Sequence, residues 1–139
     1  LNLSGARLWD QPGRALVATG GSVVVQVQLR RGDALYLNDG VYGSLSDAGA
    51  PGFRFPMRAL RPGAALADFT LFGPTCDSVD RLRHQVALPA DIAEGDWIEI
   101  GQLGAYGACL RTAFNGCDRA RIAEVRDRPL LEAGLAQAA

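Results

Sequence analysis

The sequence predicts an all-β fold, a Greek-key-like barrel or sandwich, and three observations carry that prediction. Short apolar runs alternate with period two, and no helical period lasts beyond two turns. The 17 glycines and 7 prolines are spread evenly and punctuate those runs. No internal repeat or linker divides the 139 residues, of which 48% are hydrophobic and 21% charged, so one domain can bury its own core without a disulfide or metal staple. Many short strands separated by turn signals at that spacing form a barrel or sandwich.

The elements follow in order. Ser22 to Arg30 is the clearest strand: Val23, Val25, Val27 and Leu29 share one face, and Gln26, Gln28 and Arg30 share the other with Val24. Arg31-Gly32-Asp33 turns the chain into a second strand, Ala34 to Leu37, and Asn38-Asp39-Gly40 is a second strong turn. Gly43 to Met57 is rich in Gly, Ser, Pro and Ala without period, a long loop of the kind that carries function. Further strands are expected at Leu66 to Leu71, Trp97 to Ile100, Tyr106 to Leu110 and Ala120 to Val125, with the Glu94-Gly95-Asp96 turn leading into the second of these. From Pro129 the tail is either a short helix or frayed.

Charge and composition exclude several classes. A formal charge of -1 gives no footprint for nucleic acid or an anionic membrane, and no apolar run approaches the roughly 18 residues of a membrane span. All fourteen basic residues are arginine, so the chain offers neither a phosphate-loop lysine nor a Schiff-base lysine. Three cysteines without a CxxC pair point to a reducing, cytoplasmic setting. The chain starts on Leu1 and its only methionine is Met57, so it reads as a segment of a longer protein.

Most ionisable groupings have bland readings. Cys76, Asp77, Asp80 and His84 match no zinc spacing, and no metal site is expected. His84 has no nucleophile motif to serve, Glu94, Asp96 and Glu99 read as a solvated turn, and Arg30-Arg31 reads as a hairpin end in water. Gly20-Gly21 is too short for a phosphate loop. The run from Phe72 to Asp80 is different. It sets a thiol and a carboxylate side by side after a Gly-Pro turn, where both side chains stand at a rim and not in a core.

That run, GPTCDSVD (73 to 80), resembles the signature of the fold-type III, pyridoxal-5′-phosphate-dependent basic amino-acid decarboxylases, with ornithine decarboxylase the nearest type. PGRALVA (12 to 18), YLNDGVYGS (36 to 44) and GDWIEIGQLGAYGACLRTAFNG (95 to 116) resemble the same family in the same order. The resemblance implies a C-terminal β domain that accompanies a (β/α)₈ cofactor-binding barrel. Residues 1–20 would be the end of the barrel, its last strand and phosphate turn; 21–128 the β domain; and 129–139 a tail. The cofactor's lysine would then lie in the barrel, outside this chain, and the chain alone would be inactive.

The resemblance also implies roles. Cys76 is the catalytic proton donor near the carbon that loses CO₂. Asp77 binds the distal ammonium of a diamino acid, and Asp80 belongs to the same end of the substrate pocket. Tyr106, Gly13 and Arg14 hold the cofactor phosphate, and Phe114 packs at the subunit interface. The family forms homodimers with shared active sites, in which the cysteine-aspartate pair serves the partner subunit. Gln11 stands where the family has a glutamate facing the pyridine nitrogen, so it offers that nitrogen a hydrogen bond without a charge. Diaminopimelate decarboxylases carry glutamate after the cysteine; Asp77 suits ornithine or lysine, which differ by one methylene and stay undivided here. The resulting expectation is the C-terminal part of an ornithine or lysine decarboxylase of diamine biosynthesis. The alternative is a non-catalytic, decarboxylase-like regulatory or binding protein, toward which Gln11 leans.

Overall fold

The computed structural model describes residues 5–50, 52–63 and 65–131. Residues 6–12 are irregular and lead into a short helix, α1 (Gly13–Val17), and a 3₁₀ turn at Ala18–Gly20. Six strands follow: β1 (Val23–Arg31), β2 (Ala34–Leu37), β3 (Met57–Ala59), β4 (Leu66–Phe72), β5 (Val86–Pro89) and β6 (Trp97–Ile100). They form one sheet in the order β3-β6-β1-β2-β4-β5. The two edge strands, β3 and β5, approach each other, so the sheet rolls into a nearly closed barrel. This is the all-β class that the alternation predicts.

Alternation sets which face is inside. Val25 and Val27 of β1, Leu35 and Leu37 of β2, Phe69 and Leu71 of β4, and Ile98 and Ile100 of β6 are buried, while Gln28, Asp68 and Trp97 face out. Cross-strand register joins the apolar set: Val25 lies opposite Ile98, Val27 opposite Leu37, and Leu35 beside Leu71. Each fully buried side chain of this size contributes about 1.5–3 kcal/mol over its exposed state. Leu29 departs from its expected face. The β1–β2 register shifts between Val27 and Leu29, and such a bulge leaves Leu29 half-buried and not in the core.

All ladders are antiparallel except β2–β4, which is parallel with Leu35 opposite Leu71 and Tyr36 opposite Phe72. Parallel neighbours end at the same end of a sheet. The loop after Leu37 and the loop after Phe72 therefore emerge side by side, which places Val41 and Tyr42 within reach of Asp80 and Asp77.

Several expected elements differ. Tyr106 to Leu110 is a turn and not a strand: the Gly107 N–H bonds to the Leu103 carbonyl at 3.1 Å, and the Gly/Ala-rich run has little β preference to oppose it. Ala120 to Val125 is irregular, with Ile122 and Val125 exposed and not packed in a sheet. Two strands lack the expected signal. β3 has three residues at the end of the Gly43–Met57 loop, which also holds a 3₁₀ turn at Ser46–Gly49, and β5 has four, ending in a proline that only an edge strand admits. Residues 129–131 are irregular; the rest of the expected tail lies outside the described residues.

Candidate functional site

Asp80 organises the loop that follows β4. Only 1% exposed, its Oδ1 accepts the Val41 N–H at 2.9 Å, and its Oδ2 accepts the Thr75 N–H at 3.1 Å and the Thr75 hydroxyl at 2.7 Å. Its own backbone closes the loop: the Gly73 N–H bonds to the Asp80 carbonyl at 2.8 Å, and the Asp80 N–H bonds to the Asp77 carbonyl at 3.0 Å. A Cβ at Gly73 would sit 2.1 Å from Asp80 Oδ1 and one at Gly40 2.2 Å from it, so both loops need glycine where they meet the carboxylate. In this structure Asp80 is engaged beneath the rim and presents no open face to a substrate.

On that frame Cys76 and Asp77 stand at the rim, with Cys76 exposed. Asp77 Oδ2 accepts the Tyr42 hydroxyl at 2.5 Å, and Oδ1 accepts the Val79 N–H at 2.9 Å. The Tyr42 bond and then the Val79 bond hold the Asp77 carboxyl below the ordinary carboxylate range, and the same contact pushes the Tyr42 phenol up. Asp77 therefore stays anionic, with one bond on each oxygen and lone pairs left for a cation.

Tyr42 is the functional residue that sequence reasoning passes over. It lies in the quoted YLNDGVYGS run, but nothing in its spacing marks it from a core aromatic. Its ring packs on Phe114, centroids 4.5 Å apart and planes at 37°. The Thr112 N–H and hydroxyl both bond to the Tyr42 carbonyl, at 2.9 and 3.0 Å. Arg111 anchors the same segment, pairing with Asp39 at 3.0 Å and also bonding to Ser44 Oγ. Asn115 at φ 54° and Gly116 at φ 71° then turn the chain after Phe114.

The expected cofactor residues gather in a second group. The Arg14 guanidinium lies 4.5 Å over the Phe53 ring and 4.6 Å over the Tyr106 ring, and its Nη2 pairs with Asp47 at 2.6 Å. Gly13, directly before it, has open space where a Cβ would be, and Gln11 is exposed in the irregular segment. A guanidinium close to two aromatic rings, a phenol and an unhindered backbone form a donor set that suits a phosphate. Asp47, absent from the expected set, fills one edge of Arg14. The chain has no lysine, so the residues present fit the phosphate end of pyridoxal phosphate and not its imine end.

The architecture and these two groups define a β-barrel domain bearing an exposed thiol-carboxylate loop and a cluster of Arg14 with aromatic rings. Residues 18–104 match the pyridoxal-dependent decarboxylase C-terminal sheet domain, and the chain belongs to that family, whose cofactor is pyridoxal 5′-phosphate. It is 34% identical over 84% of its length to ornithine decarboxylase of Schizosaccharomyces pombe, covering 31% of that protein. It is 33% identical over 87% of its length to diaminopimelate decarboxylase of Actinosynnema pretiosum, covering 28% of that one. The lysine/ornithine decarboxylase of Vibrio vulnificus, solved with cadaverine, superposes with a TM-score of 0.70 at 33% identity over 82% of this chain and 32% of that chain. The chain thus spans about a third of the length of these relatives. No helix among the described residues is long and apolar enough to cross a membrane.

Proposed function

We propose that this chain is the C-terminal β domain of a homodimeric, cytoplasmic decarboxylase acting on ornithine or lysine. In this reading residues 1–20 end the barrel, and Cys76 and Asp77 reach the partner subunit's active site. One observation carries it: an exposed thiol stands beside a carboxylate that Tyr42 and the Val79 N–H keep anionic, on a loop pinned by Asp80. The carboxylate matches the distal ammonium of a diamino acid, which separates ornithine and lysine from a substrate with a second carboxylate.

The chain's own residues divide the work. Pyridoxal phosphate, when bound, supplies the sink for the electron pair released as CO₂ leaves. Arg14, Tyr106 and the Gly13 backbone would hold its phosphate, and the Gln11 amide would offer a hydrogen bond to its ring nitrogen. Asp77 fixes the far end of the substrate, so the reacting carbon is oriented from two sides. Cys76 Sγ delivers a proton to the carbon that lost CO₂. Phe114, 43% exposed and packed on Tyr42, offers its remaining surface to the partner subunit.

The test is complementation in the full-length protein. Subunits carrying Cys76→Ala are mixed with subunits lacking the barrel lysine. Half of the random dimers are mixed and each holds one intact site, so about a quarter of wild-type activity returns. No recovery despite proven subunit exchange overturns the shared site. Gln11 favours a second reading, a decarboxylase-like regulatory protein, because an amide holds a protonated pyridine less firmly than a carboxylate. A cofactor-loaded full-length protein that turns over neither ornithine nor lysine decides for that reading.

A further inference from the structure

Tyr42 sits at the junction of three segments that no local motif connects. Its backbone carbonyl is held by Thr112, its ring by Phe114, and its hydroxyl reaches Asp77, 35 residues along the chain, at 2.5 Å. Among the described residues the Asp77 carboxylate is otherwise held on Oδ1, by the Val79 N–H at 2.9 Å, a bond within its own turn that leaves the plane of the group free to swing. The phenol supplies the second point, and two points fix a plane. The Arg111–Asp39 pair holds the 111–116 segment against loop 38–45, so the phenol itself is rigidly placed.

We propose that Tyr42 is a positioning residue for cation recognition: its hydroxyl fixes the orientation of the Asp77 carboxylate, and Phe114 acts on the same carboxylate by clamping the Tyr42 ring. This rests on the reading of Asp77 as the ammonium-binding group and goes further, because it makes the affinity for the distal amine a property of the contact between loops 38–45 and 73–80. Tyr42 touches no reacting atom. The titratable groups about Asp77 are Tyr42 from the facing loop, and Cys76 and Asp80 from its own. Losing the phenol therefore removes the largest influence that lowers the Asp77 pKa.

The test uses the full-length, cofactor-loaded protein with Tyr42→Phe, which keeps the ring on Phe114, and Asp77→Asn beside it. Equilibrium binding of the diamine cadaverine is measured from about pH 3 to 8, without turnover, so that the window includes the carboxylate's own titration. For Tyr42→Phe, affinity falls about tenfold at pH 7, the size expected from loss of one charge-assisted bond in an ordered pair. The acid limb of binding moves to higher pH, because Asp77 now protonates more easily. Butylamine, with a single ammonium and no need of Asp77 once its amine is at the cofactor, binds both proteins alike. Phe114→Leu gives a smaller loss of the same kind. If Asp77→Asn weakens cadaverine binding while Tyr42→Phe leaves both affinity and acid limb in place, the positioning role is overturned and the site reading stands. If Asp77→Asn has no effect, the site reading itself fails, and this inference fails with it.

Discussion

Asp80 Oδ1 accepts the Val41 N–H at 2.9 Å across 39 residues, and beneath the Tyr42–Asp77 contact this bond ties the loop bearing Tyr42 to the loop bearing Cys76 and Asp77. The bond works because the carboxylate is buried and its other oxygen is already taken by Thr75. The two loops thus meet at two levels, through the buried Asp80 carboxylate and through the Asp77 carboxylate at the rim.

Replacing that carboxylate is expected to be a stability defect before it is a catalytic one. Asp80→Ala leaves the Val41 and Thr75 donors without acceptors, at about 2–4 kcal/mol. Urea unfolding measures the loss. An unchanged midpoint would mean that water replaces the carboxylate and that the loop needs no buried acceptor.

Gly73→Ala is expected to be comparably damaging, because its new methyl would meet Asp80 Oδ1 at 2.1 Å and the Gly73 backbone is tied into the same loop. Gly20→Ala, with open space at its Cβ position, serves as the control. The comparison is read as two thermal midpoints, with only Gly73→Ala falling.

Arg111→Met removes one partner of a pair in which the side chains are 13% and 9% exposed, and it leaves Asp39 among the Gly40 and Ser44 N–H donors without its cation. A cost of about 2–4 kcal/mol is expected, below the full buried-pair value because both groups keep some solvent. Proteolysis should then open the 111–118 segment first. Digestion that begins elsewhere counts against Arg111 as its anchor.

Acid sensitivity is expected from Asp96. Hydrogen bonding to Arg61 is the main cause that holds its carboxyl below the ordinary range, against a smaller opposing effect of burial. A carboxylate depressed in the folded state contributes fully above its unfolded value of about 3.9, and the contribution is lost as pH falls through the folded value. Arg61→Gln should therefore lower the melting temperature at pH 7 and have progressively less effect towards pH 2. A gap between wild type and variant that stays constant from pH 7 to 2 would assign the effect to packing instead.

The barrel strands were legible where alternation was long enough to be seen. Val23 to Leu29 and Trp97 to Ile100 announce themselves, because buried and exposed positions differ at every step. β3 and β5 did not, since three or four residues at a sheet edge carry too little pattern, and Pro89 argues against a strand until an edge is known. The opposite error fell at Ala120 to Val125, where β-branched residues look like a strand but have no partner ladder. At the site, the resemblance singled out Cys76, Asp77, Asp80, Arg14 and Tyr106 as residue types, whereas their arrangement was hidden. That Asp80 lies under the rim, that Asp47 fills an edge of Arg14, and that Tyr42 holds Asp77 are all contacts between segments far apart in sequence. No local window contains them.

The parallel pairing of β2 with β4 has a kinetic consequence. Antiparallel neighbours can zip from a hairpin, but these two strands must wait for the chain from Asn38 to Ala65 to close a large excursion before any of their contacts form. The Tyr42–Asp77 bond lies just beyond that closure. A nascent chain that has collapsed without completing the crossover has a hydrophobic interior but no oriented Asp77 carboxylate, so the finished rim marks the molecules in which the 38–65 excursion has closed.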